Sequence, residues 1–329
     1  MYDNEKSAEE KYLPQKNFHG YSRQKISFVL SSLSKSYKSN VVILSHINLL
    51  PVGFCIKLIS PKTKLLLFAH GIEVWGPLSA IKKIMLHKCD RILAVSSFTK
   101  AKLEKELSIS PEKILVLNNC LDPFLLPSAN KKKNKSLLAQ LKLDDEAVIL
   151  LTVTRLSSQE MYKGYDKVLH AVKELLPRYP NLTYILAGKA DEAEKKRVNS
   201  IIRSLGISRQ VRCTGFIPED ELINYFNTAD IFIMPSGGEG FGIIFIEAMF
   251  YGLPVIAGNK DGSADALLQG RLGMLIDPGN QSAINNALEK MLVNRLLFSP
   301  DKELLMQHFS FEVYKHNLKK IFSSLQLTA

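Results

Sequence analysis

From Ala147 onward the chain alternates short, nearly all-apolar runs with amphipathic stretches, and this alternation restricts the second half to very few folds. The runs are Val148–Val153, Leu182–Ala187, Val211–Gly215, Ile231–Pro235, Pro254–Ala257 and Met274–Ile276. Strands that are apolar on both faces must be covered on both faces, and crossover helices supply that cover, so a doubly wound parallel α/β sheet is predicted. The intervening helices read Tyr165–Tyr179, with Val168, Leu169, Val172, Leu175 and Leu176 on one side, then Glu219–Thr228, Ile243–Phe250 and Asn280–Leu292. The first half repeats the scheme with fewer units. Its strand-like runs are Val41–Ser45, Lys64–Ala69, Arg91–Val95 and Ile114–Leu117, and its helical segments Tyr21–Leu33, Leu78–Lys88 and Phe98–Leu107.

At 329 residues the chain exceeds what one core usually spans, about 250–300 residues, so two domains are expected. Asp122 to Asp145 is polar, lysine-rich and without period. The division is therefore a first domain over 1–122, a linker over 123–145, a second domain over 146–308 and a C-terminal segment over 309–329 carrying the helix Phe311–Leu325. Lys131, Lys132 and Lys133 read as part of the linker.

All the net positive charge lies in the first half. Residues 1–145 carry 23 Lys and Arg against 12 Asp and Glu, whereas residues 146–329 carry 20 of each. Such a field recruits polyanions: anionic lipid, phosphorylated substrates or nucleic acid. A solvated lysine surface is the plainer alternative. Nucleic acid fits least, because the basic residues are not interleaved with aromatics and no RNA-binding motif accompanies them. Four well-separated cysteines, Cys55, Cys89, Cys120 and Cys213, suit neither zinc nor a disulfide framework and read as reduced core thiols. Met1–Leu13 is polar and has no signal-like apolar core. The longest apolar stretch, Val41–Phe54, is interrupted by Ser45, His46 and Asn48 and falls short of the ~20 residues of a spanning helix. A cytoplasmic chain, at most peripheral on a membrane, is expected.

The chemistry concentrates in IFIMPSGGEGFGIIFIEAMFYGLPVIAG, Ile231 to Gly258. A buried strand ends near Pro235, a loop carries Gly237, Gly238, Gly240 and Gly242, and a helix begins at Ile243. A glycine-rich turn feeding a helix N-terminus aims unpaired N–H groups outward and is a natural phosphate site. Glu247 sits among Ile244, Phe245, Ile246, Ala248, Met249 and Phe250, where an ionised carboxylate costs several kcal/mol unless it is hydrogen-bonded. Vicinal ribose hydroxyls would satisfy it, as would a neighbouring Lys or Arg. Glu239 reads either as a ligand for sugar hydroxyls beside a diphosphate or as a solvated loop acid. Arg155, at the end of the first strand of this half, and Lys163, in the loop before the next helix, lie at the carboxyl edge of the sheet and are the candidate cations for a diphosphate.

These residues resemble the retaining GT-B glycosyltransferases of family 4. Glu239 and Glu247 are similar to that family's paired glutamates within EGFGIIFIE, and Arg155 and Lys163 to its basic pair. GFIPEDEL (Gly215–Leu222) resembles the segment flanking the nucleobase, and AHGIEVW (Ala69–Trp75) the His-Gly segment facing the donor sugar. VSSFTK, VLNNCLDPF, GNKDGSADAL and GMLIDPG also fit, so the resemblance covers about residues 62–295.

The resemblance implies two facing Rossmann-like domains, the second binding a nucleoside-diphosphate sugar and the first a lipid-linked or polysaccharide acceptor, with the C-terminal helix crossing back to the first domain. It implies Glu247 on the ribose and Glu239 on the donor sugar, with Arg155 and Lys163 on the leaving diphosphate. The amides of Phe241, Gly242 and Ile243 would assist at the phosphates, Gly215 and Phe216 would lie by the base, and His70 by the sugar. It implies retention of anomeric configuration, with no metal or other cofactor. Family members ordinarily open with a strand and a glycine-rich loop. Met1–Gly20 shows neither, so a first domain short of at least one βα unit is expected. That departure keeps two alternatives open: a catalytically impaired nucleotide-sugar-binding or scaffolding protein, and a nucleotide-sugar epimerase.

Overall fold

The computed structural model describes residues 7–127 and 132–325; Lys131, with the rest of 128–131, lies outside them. The chain divides into two compact units, the first holding residues up to 94 with 102–115 and 322 onward, the second holding 95–101 and 116–321.

In the first unit, strands β1 (Val41–Leu44), β2 (Lys64–Ala69), β3 (Arg91–Ala94) and β4 (Ile114–Val116) form one sheet in sequence order. β1 runs parallel to β2 and β2 parallel to β3. Leu65, Leu66, Leu67, Ile92 and Leu93 are fully buried, as runs apolar on both faces require. The helix predicted over Tyr21–Leu33 forms later, over Lys25–Ser36. Tyr21 remains outside it, and Ser22 and Arg23 hold positive φ, which a continuing right-handed helix does not allow. A further helix, Leu50–Ile59, occupies the end of the apolar stretch. Its mean hydropathy hides any period, but Pro51 stands in its first turn, where its missing N–H leaves no helical bond unmade.

The second unit holds a six-stranded sheet of β5 (Val148–Val153), β6 (Leu182–Ala187), β7 (Val211–Gly215), β8 (Ile231–Met234), β9 (Val255–Gly258) and β10 (Met274–Ile276), in the order β10-β9-β8-β5-β6-β7. Every pairing is parallel. The chain winds outward from β5 through β6 to β7, returns to lay β8 against the other side of β5, and winds outward again. The reversal between β5 and β8 leaves a crevice at their carboxyl ends, where open α/β sheets bind ligands. Helices Tyr165–Leu175, Glu192–Ser204 and Gln281–Val293 bury their apolar sides in the core on one face. Helices Glu219–Thr228, Ile243–Phe250 and Lys302–Phe309 do so on the other. Tyr165–Leu175 ends before the predicted Tyr179 because Pro177 has no N–H to continue the helical hydrogen bonds past Leu176.

Two expectations are corrected. The segment read as an aperiodic linker contains a helix, Lys135–Leu141, capped by the Asn134 side chain and burying Leu137 and Leu138. Two turns are too few to show a period. Lys133 is no solvated linker residue: its ammonium donates to the carbonyls of Asp145 (3.2 Å) and Ala147 (2.5 Å) and lies 3.5 Å from Asp230. Of the four cysteines, all free, only Cys89 is a buried thiol; Cys120 is half-buried, and Cys55 and Cys213 are exposed.

Candidate functional site

The β8–Ile243 connection is built to be rigid. Gly242 caps the helix at φ +84°, and a Cβ there would lie 2.4 Å from the Phe245 ring, so an L side chain is excluded both by conformation and by space. Phe241, just before it, is buried with its ring edge-on to Phe309 at 5.6 Å. Ile243 is exposed at the first turn. The turn Met161–Lys163 is brought onto the end of β8 by Gly164 at φ +75°, where a Cβ would stand 2.3 Å from the Pro235 carbonyl oxygen. The Tyr162 carbonyl accepts from the Gly237 N–H at 2.9 Å.

That approach brings two of the predicted residues together. The Lys163 ammonium pairs with the Glu239 carboxylate, and both side chains are only 12–15% exposed. The Lys163 ammonium also lies over the Tyr162 ring, 5.2 Å from its centroid. The backbone of Glu239 is held at both ends. Its N–H donates to Asp261 Oδ2 at 2.7 Å, and its carbonyl accepts from the Gly262 N–H at 2.8 Å. Asp261 is itself buried; burial pushes its carboxyl above the usual range, and its other oxygen accepts from the Ser263 N–H at 2.9 Å.

Arg155 lies just past β5 as predicted, but its guanidinium is engaged by Glu160. Nε donates to Oε2 at 3.2 Å, and Nη2 pairs with Oε1. The Arg155 side chain is 72% exposed and that of Glu160 15%, so the fork reaches outward from a fixed acid. Arg155 also lines a 220 Å³ cavity with Ser157, Lys189 and Asp191.

Glu247 is half-buried on Ile243–Phe250, and among the described residues no hydrogen bond or ion pair reaches its carboxylate. Desolvation, and then the charges of Glu219 and Asp122, push its carboxyl up to about 7. Of the two readings left open for it, pairing with a neighbouring Lys or Arg does not occur among the described residues. Gly215 ends β7 at φ +74°, and Phe216 follows, 72% exposed. His70 lies within the first unit, at the end of β2. Its Nε2 is 2.7 Å from the Ser45 carbonyl oxygen, its N–H donates to Glu73 Oε1 at 2.6 Å, and its ring stacks on Phe68.

Sequence reasoning missed Asp261, Glu160 and Tyr162. Asp261 lies inside GNKDGSADAL and Glu160 and Tyr162 between the two candidate cations, so the motifs pointed to the right segments. The partnerships join residues up to 76 positions apart and carry no local signal.

A model of the glycosyl transferases group 1 matches residues 133–304, and one of Glycosyltransferase Family 4 matches residues 5–123. D-inositol 3-phosphate glycosyltransferase of Corynebacterium jeikeium is 33% identical over 171 residues, 50% of this chain and 41% of its own. The Corynebacterium efficiens protein of the same name is 27% identical over 240 residues, 70% of this chain and 56% of its own. The chain thus spans about half the length of these curated relatives. Among solved structures, Anabaena Alr3699/HepE in complex with UDP and glucose superimposes with a TM-score of 0.76 at 20% identity, covering 93% of this chain and 83% of that one. Sucrose-phosphate synthase from Thermosynechococcus elongatus gives 0.75 at 21% identity, covering 94% and 81%. The fold is that of the GT-B glycosyltransferases, two parallel-sheet α/β domains. Since the first of the two models spans more than half of its residues, the chain belongs to the glycosyl transferases group 1 family.

Proposed function

We propose that this protein transfers a sugar from a nucleoside-diphosphate sugar to a lipid-linked or polysaccharide acceptor on the cytoplasmic face of a membrane, with retention of anomeric configuration. One observation carries the reading: Glu247, a half-buried carboxylate on the helix leaving the sheet's switch point, has no protein partner among the described residues. Such a group demands hydroxyl or N–H donors, and the vicinal hydroxyls of a ribose supply two without adding a charge.

The neighbouring groups then divide the work. Breaking the anomeric C–O bond increases the negative charge on the diphosphate. The Lys163 ammonium, the Arg155 guanidinium and the N-terminal amides of Ile243–Phe250 stabilise that charge as it grows, which is electrostatic catalysis by groups already in position. In this reading the diphosphate is neutralised without a metal. Glu239, on its pinned backbone, accepts from sugar hydroxyls once the diphosphate draws Lys163 toward itself. The leaving phosphate takes the acceptor's proton as the acceptor attacks from the same face. The HepE structure was solved with UDP and glucose and another with UDP-glucose, which favours a uridine donor. Phe216, exposed beside the positive-φ turn at Gly215, offers a ring for a base to stack on.

The test is a panel of nucleotide sugars assayed by mass spectrometry for transfer and hydrolysis, with calorimetry for binding. Turnover of one donor, abolished by Glu239→Ala and with its binding weakened by Glu247→Ala, is expected. A folded sample that neither binds nor turns over any donor overturns the proposal. Binding without product would point instead to the nucleotide-sugar-binding alternative.

A further inference from the structure

The loop between β5 and the helix Tyr165–Leu175 carries both candidate cations, Arg155 near its start and Lys163 near its end. An exposed loop keeps a charge in one direction only where something outside the loop holds it. Both ends are fastened. The Leu156 N–H donates to the Lys189 carbonyl at 3.0 Å, and the Leu156 carbonyl accepts from the Asp191 N–H at 3.0 Å, just past β6. At the other end Gly164 meets Pro235, and the buried Tyr165 hydroxyl donates to Glu194. The middle depends on one residue. Among the described residues, the hydrogen bonds that join 157–160 to anything beyond the loop run to Asp191, whose Oδ2 accepts from the Ser158 N–H at 2.8 Å and from its Oγ at 3.1 Å. Glu160, which grips Arg155, lies two residues on, with its N–H donating to the Ser157 carbonyl at 2.8 Å.

Asp191 is itself held firmly. It is the N-cap of Glu192–Ser204, its Oδ1 accepting from the Glu194 N–H at 2.8 Å. Glu194 is fully buried and accepts from the Arg197 guanidinium at 2.6–3.0 Å as well as from Tyr165, so this turn is locked to the helix that follows Lys163. The amides, that of Glu194 first and that of Ser158 next, hold the Asp191 carboxyl below the usual range and keep both of its oxygens as acceptors. A helix cap needs one oxygen, which Ser, Thr or Asn would supply as well. The second oxygen faces the loop. We propose that Asp191 is a positioning residue: through Ser158 it fixes the turn that carries Glu160, and through Glu160 the direction in which Arg155 meets a diphosphate. The inference rests on the proposed donor site and names a residue on the neighbouring helix that sets the site's geometry.

Asp191→Ser tests it, because the single oxygen it leaves goes to the helix cap and the grip on Ser158 is lost. The probe is whichever nucleotide sugar the donor panel identifies. Its KM should rise about threefold to tenfold, since each donor must order the turn anew, with kcat and the melting temperature little changed. Hydrogen exchange measured without donor should show the Ser158 amide losing protection while the Glu194 amide keeps it. In an Arg155→Ala background the same substitution should move KM by less than about twofold, because the residue it acts through is gone. A wild-type KM in Asp191→Ser, or unaltered exchange at Ser158, overturns the inference. An equal rise in the Arg155→Ala background overturns it too, since Asp191 would then act on the donor directly or on the fold. Should Asp191→Ser misfold, Ser158→Ala removes one of the two bonds to the loop and should raise KM about twofold, and an unmoved KM there overturns the inference. A wild type that binds no donor sinks the proposed function, and exchange at Ser158 still decides whether Asp191 holds the loop.

Discussion

The loop that follows β8 and the helix that follows the loop each present a glutamate, eight residues apart, and the protein treats them oppositely. Glu239 has its carboxylate paired with Lys163 and its backbone tied at both ends to Asp261 and Gly262. Glu247 has a helix to hold its backbone and, among the described residues, nothing to hold its charge. The first site is complete as it stands and must exchange one partner for another when a ligand enters. The second is incomplete and gains a partner only from a ligand. This difference separates a group poised for chemistry from one poised for affinity, and substitutions at the two should therefore fail differently.

The largest effect should come from the loop. Lys163→Met should lower transfer by about a hundredfold to a thousandfold, the usual scale for removing one preorganised electrostatic group. It should also lower the melting temperature, because Glu239 is left mostly buried and unpaired. Lys163→Met/Glu239→Gln should recover much of that stability and none of the transfer. If the double variant regains activity, the pair serves only the fold.

The helix should answer to pH instead. The Glu247 carboxyl is raised from 4.5 to about 7, so between those values the native state holds a proton that the unfolded state has released. Stability therefore falls as pH rises through that window, by about 2–3 kcal/mol once it is passed. Glu247→Gln should leave the melting temperature nearly unchanged at pH 5 and raise it at pH 8. Donor affinity should move the other way. The ionised form accepts the ribose hydroxyls, so wild-type binding should weaken by up to about tenfold per pH unit below about 7, and the variant should bind weakly at every pH. A wild-type affinity that is flat from pH 5 to 8 would remove Glu247 from the ribose.

Between the two regions stands Gly242, and Gly242→Ala should cost about 1–3 kcal/mol, since both the positive φ and the Phe245 ring oppose a methyl group. Denaturant unfolding measures it. A neutral result would mean that loop and helix are not rigidly joined.

What could be read in advance tracks how local its cause is. The helix Ile243–Phe250 begins and ends where expected because Gly242, Gly252 and Pro254 punctuate it. β5, β6, β7 and β10 coincide with apolar runs that a two-sided parallel sheet requires. Glu192–Ser204 went unread because nearly half of its residues are charged, with Val198 and Ile202 alone buried among its apolar residues. Glu239 and Glu247 were found because glycine turns and misplaced carboxylates are visible in a string of letters. The partner that separates them, Lys163 on one and none among the described residues on the other, is a fact of three dimensions. The same holds for the Glu160 grip on Arg155, although the two residues are only five apart, because neither lies on a regular element whose geometry would predict the contact.

That grip supplies the smallest expected effect and the finest test of the comparison. Arg155 is largely in water, and an ion pair with one partner this exposed contributes about 0–1 kcal/mol. Glu160→Gln should accordingly leave unfolding within about 0.5 kcal/mol of wild type. Its consequence should appear in the donor's KM instead. Glu160 holds Arg155 in one direction, and an untethered guanidinium must be ordered anew by each arriving diphosphate, which costs about 0.5–1.5 kcal/mol, so KM should rise a few-fold with kcat little changed. If kcat falls as far as it does in Lys163→Met, Arg155 belongs with the Glu239 loop as a group whose worth is realised in the transition state. If KM alone moves, Glu160 acts only by ordering Arg155 before the donor arrives, and the charge that Arg155 offers the leaving diphosphate is unaffected.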